Sequence, residues 1–167
     1  MLAKDEEIRI FATGGTFDKE YNELNGQLFF KDTHLYEMLN RGRNTVKISI
    51  RTLMMLDSLD MTNVEREVIL QSCKRAAIKK IIITHGTDTM ITTAKLLQEH
   101  ITDKTVILTG ALIPYAFGTS DGFFNLGNAI AYAQILPPGV YIVMNGKYFK
   151  PENVRKDYTT GFFERLE

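Results

Sequence analysis

Apolar residues along this chain recur in two rhythms. Short unbroken or alternating runs at 8–12, 46–50, 81–83, 106–108 and 140–144 have the length and β-branched content of strands. Between them the spacing changes to threes and fours. Met90, Ala94, Leu97 and Ile101 fall on one face of a helix, and Phe123, Leu126, Ile130 and Ala133 do the same further on. A helix with Val64, Val68, Ile69, Cys73, Ala76 and Ala77 inward is expected before them, and a short one with Leu35, Met38 and Leu39 inward stops near Gly42. Asp32 or Thr33, Thr62 or Asn63, and Ser120 or Asp121 are the candidate caps for three of these helices. Strand and helix in four successive units predict a three-layer α/β fold, a mainly parallel doubly wound sheet in a single domain.

Two stretches stand outside that alternation. Residues 17–21 and 27–30 flank Asn25-Gly26, the strongest short hairpin signal, so Tyr21 belongs on a hairpin only a few residues from Gly15. That hairpin is either a lid over a crevice or an ordinary surface hairpin. The closing stretch, 145–167, is polar, and Pro151 argues against a continuous helix there. The Phe162-Phe163 pair near its end must pack on this domain, on a partner, or on something absent.

Composition changes this picture mainly by exclusion. Twenty basic and twenty acidic residues cancel in 167, which leaves no electrostatic footprint for nucleic acid or an anionic membrane. No apolar run approaches the length of a membrane span, and the first seven residues mix acids into the place where a signal peptide would be basic. The single cysteine, Cys73, excludes an internal disulfide and lies within an apolar stripe, so it reads as a packed small hydrophobe in a cytoplasmic protein. His34 and His100 read as surface residues, and no His, Cys and carboxylate spacing suggests a metal site.

Candidate chemistry collects at the ends of strands. Thr84-His85-Gly86-Thr87-Asp88-Thr89 follows one strand and opens a helix, the kind of junction at which open α/β sheets hold ligands. Asp88 and Thr89 also have an ordinary role there as helix caps. A second turn of similar make-up, Thr13-Gly14-Gly15-Thr16, ends the first strand, and its paired glycines let backbone approach a ligand closely. Neither turn is a G-x-G-x-x-G or lysine-bearing phosphate loop, so a nucleotide-binding protein ranks last.

Together the two turns resemble the signature segments of the bacterial-type L-asparaginases. Thr109-Gly110-Ala111 with Pro114, Asp121-Gly122 with Phe124-Asn125-Leu126, Val143-Met144-Asn145 and Val154-Arg155-Lys156 extend the similarity from residue 8 to residue 160. The resemblance implies a flavodoxin- or Rossmann-like sheet and an amidohydrolase that converts L-asparagine, with L-glutamine a further candidate, to the acid and ammonia without a cofactor. It implies Thr16 as nucleophile, Tyr21 on the lid, and Thr87, Asp88 and Lys156 as the second catalytic group. Gly15, Ser58, Gly86, Thr87 and Asp88 would bind the substrate, with Ser58 on its α-carboxylate. The family usually carries Gln after that serine, where this chain has Leu59.

The family also continues into a smaller C-terminal domain. Residues 1–167 would therefore be the asparaginase-like N-terminal catalytic domain, in a homodimer or larger homo-oligomer. In such a site Thr16 needs a proton acceptor, either Tyr21 or the Thr87–Lys156 relay, while backbone N–H groups at the helix start near Thr87 and Thr89 suit an oxyanion or a carboxylate. Asp88 matches the substrate's α-ammonium. Lys156 has an ordinary reading as part of a solvated cluster with Lys150 and Arg155. The alternatives are an amino-acid-binding or regulatory domain with little turnover, and an amidase acting on another amide with a partner protein.

Overall fold

A computed structural model of the chain describes residues 6–167. In chain order it contains β1 (Ile8–Gly14), β2 (Lys19–Asn22), β3 (Gln27–Phe30), α1 (Leu35–Arg41), β4 (Ile48–Leu56), α2 (Asn63–Arg75) and β5 (Lys80–Thr84). There follow α3 (Met90–His100), β6 (Thr105–Thr109), α4 (Gly122–Ile135), β7 (Gly139–Met144), β8 (Lys147–Phe149), β9 (Arg155–Lys156) and β10 (Phe163–Glu164). The main sheet has the order β4-β1-β5-β6-β7-β8, parallel throughout except for the terminal β7–β8 pair. From β1 the chain moves out to β4 on one side and then returns to β5 on the other. The order therefore reverses between β4 and β5, beside β1, which is where a doubly wound sheet opens a crevice. This is the expected fold class in a single domain.

Both faces of the sheet are covered, as a near-continuous apolar strand requires. Ile81 and Ile83 pack with α2 and α3, while Ile82, pointing the other way, packs with α1 and α4. Helix starts follow local chemistry. The Thr62 hydroxyl accepts the Val64 N–H at 3.2 Å and Glu65 accepts the Thr62 N–H at 2.7 Å, a capping box worth about 1 kcal/mol.

Several expectations need correction. The buried stripe of α2 is Arg66, Ile69, Leu70 and Cys73, and Val64 and Val68 face outward, Val64 71% exposed. The i, i+3, i+4, i+7 set centred on Ile69 meets the sheet, whereas the Val64–Val68 pair lies on the adjoining helix face. Phe123 is likewise partly exposed on α4, where Arg41 and Tyr115 stack on it, and Asn125 and Ala129 join the inner face instead. The first residue flanking α1 is His34, although the Thr33 hydroxyl does accept the Leu35 N–H at 3.3 Å. His34 is not a surface residue: its side chain is 12% exposed. The terminal aromatic pair divides, Phe163 entering the core and Phe162 remaining outside.

Candidate active site

The two glycine turns meet backbone to backbone. Gly15 has φ 73°, and a Cβ on it would overlap the Gly86 backbone. A Cβ on Gly86 would in turn strike the Ser58 side chain. Three loops, after β1, β4 and β5, are thus drawn together by the absence of two side chains, and Thr16, Ser58 and Thr87 are neighbours or members of those contacts. Hydrogen bonds fix the approach. The Gly15 N–H donates to Leu56 at 2.9 Å, the Thr13 hydroxyl to the Thr84 carbonyl at 2.7 Å, and the Thr89 hydroxyl to the Ser58 carbonyl at 2.9 Å.

Lys156 enters from the far end of the chain. Its ammonium lies 2.8 Å from Thr87 Oγ1 and 2.8 Å from Asp88 Oδ1, and its side chain is only 10% exposed. The expected solvated cluster is therefore wrong for Lys156: β9 carries it under the β5–α3 loop, while Arg155, on the opposite side of the strand, pairs with Glu164 in solvent. The β9–β10 hairpin is held there by Phe163, whose N–H donates to Asn145 Oδ1 at 2.9 Å. The Tyr158 ring lies 4.9 Å from the Lys156 ammonium. Asp88 does not cap α3, because its carboxylate is engaged by Lys156. Thr89 holds the capping position without a side-chain cap, since its hydroxyl is turned to Ser58.

His85 supports this turn from behind. It is fully buried, with Nδ1 2.8 Å from the Gly86 carbonyl oxygen and Nε2 2.8 Å from Thr93 Oγ1. Arg66 Nε donates to the same Thr93 oxygen at 3.2 Å, so the Thr93 proton is directed to Nε2 and the imidazole is a neutral Nδ1–H tautomer. Burial holds the imidazole well below its ordinary value, at about 4, with the nearby Arg66 charge acting in the same direction. Sequence reasoning quoted His85 without assigning it a part. Its one legible signal is a histidine lying between an apolar strand and a glycine.

The Thr16 side is looser. Thr16 opens a single 3₁₀ turn, Thr16–Asp18, with Phe17 buried beneath it. The hairpin forms as expected, Tyr21 opposite Leu28, but Tyr21 is 53% exposed and makes no hydrogen bond through its hydroxyl among the described residues. Lys19, at the base of the hairpin, pairs with Asp57 beside Ser58, a tether that pattern reading missed. Thr87, Asp88 and Lys156 are thus bonded to one another, and Gly15, Gly86 and Ser58 adjoin them. Tyr21 is not brought into that group. A groove of about 760 Å³ lies elsewhere, between β4 and α2, and its walls carry no comparable set of hydroxyls and buried charge. No cluster among the described residues is placed to hold a metal ion.

The family profile described as "Asparaginase, N-terminal" matches residues 7–163. The chain belongs to the asparaginase family. It is similar to the protein named "Probable L-asparaginase periplasmic" of Haemophilus influenzae, with 34% identity over 168 residues, 92% of this chain and 47% of that protein. "L-asparaginase 2" of Bacillus subtilis is 28% identical over 169 residues, 92% of this chain and 44% of the relative. Among solved structures, the thermostable L-asparaginase from Thermococcus kodakarensis superposes with a TM-score of 0.85 at 27% identity, covering 96% of this chain and 51% of that one. This asparaginase N-terminal domain therefore spans about half the length of the relatives it matches. Among its described residues no helix is long and apolar enough to cross a membrane.

Proposed function

We propose that residues 1–167 carry the catalytic groups of an asparaginase-type amidohydrolase, acting on the side-chain amide of L-asparagine, with L-glutamine the second candidate. The observation that carries this reading is the nearly buried Lys156 ammonium bonded to both Thr87 Oγ1 and Asp88 Oδ1 at the mouth of the crevice. A lysine held there by a hydroxyl and a carboxylate is a proton relay in waiting. Thr16 Oγ attacks the amide carbon, its proton passes to Tyr21 or through the Thr87–Lys156 pair, and ammonia leaves with a proton from the same relay. Water then hydrolyses the threonyl ester and restores Thr16. Backbone N–H groups at the start of α3 stabilise the oxyanion. Ser58 and the Gly15 and Gly86 amides hold the α-carboxylate, while Asp88 receives the α-ammonium.

No step requires a cofactor. A homodimer or larger assembly belongs to the same reading, supported by the apolar surface that Phe162 and Leu166 leave exposed. So does a cytoplasmic location, supported by one buried, unpaired cysteine, although the Haemophilus relative is named periplasmic. The test is ammonia release from L-asparagine and L-glutamine by the purified chain and by Thr16→Ala. Turnover that Thr16→Ala abolishes supports the reading. Near wild-type turnover in that variant overturns the nucleophile. Calorimetric binding of asparagine with no ammonia released selects instead a domain that holds the amino acid.

A further inference from the structure

Asp18, two residues after Thr16, is completely buried and incompletely bonded. Its Oδ1 accepts the His34 backbone N–H at 2.8 Å, while Oδ2 has no partner among the described residues. The His34 ring stands between two carboxylates. Nδ1, also without a hydrogen bond, lies 3.4 Å from Asp18 Oδ1, and Nε2 lies 3.0 Å from Glu20 Oε1. Asp18 ends the Thr16 turn, Glu20 lies in β2 beside Tyr21, and His34 begins α1. One imidazole therefore touches the nucleophile turn, the hairpin strand and the helix behind them.

We propose that His34 is a positioning residue that fastens the Thr16 turn and the Tyr21 hairpin to the start of α1, and does so only while its imidazole is protonated. A neutral imidazole has one N–H and can satisfy one carboxylate, leaving its lone pair facing the other. An imidazolium has two and satisfies both. The test therefore scans pH 5 to 8, the range over which a histidine ordinarily changes charge. At the acid end the clamp is limited by Asp18, whose burial pushes its carboxyl above the usual carboxylate range despite the hydrogen bond from the His34 backbone N–H.

The other groups around the ring do not supply the missing charge. The Tyr115 ring lies 5.6 Å away, its hydroxyl donating to Glu37 Oε1 at 3.1 Å and also engaging Arg41. Lys19, next to Asp18 in sequence, is turned to Asp57. The groups that meet the imidazole nitrogens are the two carboxylates, Asp18 and Glu20.

This inference rests on the reading of Thr16 and Tyr21 as working residues, so its test has a readout independent of turnover. NMR of the full chain from pH 5 to 8 follows the His34 ring protons and the backbone amides of Glu20 and Tyr21. We expect the amides to shift with the same midpoint as the ring, and this coupled shift to vanish in His34→Gln, whose amide does not titrate. Glu20→Gln, a change on a half-buried strand outside the core, should reduce the hairpin shift while the ring signal is still followed. Where the chain releases ammonia, KM for asparagine should rise with pH across the same midpoint in the wild type and stay flat in His34→Gln. A ring that titrates while the amides stay still overturns the proposal, as does an unchanged hairpin shift in His34→Gln. Absence of turnover with a coupled hairpin shift leaves the clamp standing and removes only the hydrolase.

Discussion

Lys156 reaches its two partners across 69 and 68 residues of chain, and everything around that contact is bonded or buried. His85, Thr93 and Arg66 brace the turn from below, Ser58 ties it to the neighbouring loop, and Phe163 holds the hairpin that delivers the lysine. Thr16 and Tyr21, on the hairpin bank, are held under opposite conditions. A three-residue turn and a two-stranded ribbon carry them, fastened at the base by the Lys19–Asp57 and His34 pairs. An isolated hairpin is marginal by itself, so its position follows from those pairs. The contrast assigns different work to the two banks. The β5–α3 side holds charge in place through buried and bonded groups, whereas the hairpin side is fastened mainly at its base.

The sharpest break in this comparison is Lys156→Met. Removing the proposed relay should lower ammonia release by about 10²–10⁴-fold, the range for loss of positioned proton transfer. Thermal stability should change little, because the orphaned Asp88 carboxylate retains 32% side-chain exposure and can be solvated. Steady-state kinetics beside a melting curve decide it. Equal losses of activity and fold would make Lys156 a structural ion pair.

A smaller effect comes from His85, and it is a matter of stability and pH. An imidazole held at about 4 in the folded protein, against 6.5 as its ordinary value, binds a proton more readily when the chain unfolds. Its contribution to stability is therefore complete above pH 6.5 and is lost as pH falls toward 4, by about 3 kcal/mol. His85→Gln lacks this titration. Urea unfolding of both proteins should show the wild type's advantage at pH 7 narrowing by about that amount at pH 4. A gap that does not narrow would mean that water reaches the imidazole behind the Gly86 turn.

The two banks were unequally legible in the sequence. The mainly parallel sheet, the four helices and the crevice at the strand ends follow from period and alternation, which act over short distances along the chain. Gly15 was readable as a close-approach position toward a ligand, but its contact with the Gly86 backbone, which in turn meets Ser58, was not. The Asp88–Lys156 pair was not readable as geometry: capping is the local explanation for an acid before a helix, and nothing local shows that a lysine 68 residues away displaces it. The α2 stripe failed for a related reason. Apolar identity placed Val64 and Val68 inward, but the sheet selected the helix face, and a buried Arg66 became acceptable because Thr93 and the Met61 carbonyl receive its N–H groups. His34 escaped notice because its partners, Asp18 and Glu20, lie across a hairpin.

The smallest expected effect tests the hairpin's tether directly. Burial raises the Asp57 carboxyl, but the Lys19 ammonium and the Leu59 N–H outweigh it and hold the carboxyl below its ordinary range. A partly exposed pair of this kind contributes about 0.2–1 kcal/mol, present at neutral pH and lost as acid protonates the carboxylate. Asp57→Asn should therefore barely move the unfolding midpoint, and that small loss should disappear below about pH 4. Its consequence for the crevice should be larger than its consequence for the fold, because the Lys19 end of the pair lies at the base of β2 and the Asp57 end adjoins Ser58. Amide hydrogen exchange resolved to residues 19–30 should quicken in Asp57→Asn while residues 81–90 keep wild-type protection. If the 81–90 segment loosened equally, the two banks would be one cooperative unit, and the division between a firmly held side and a loosely tethered side would fall.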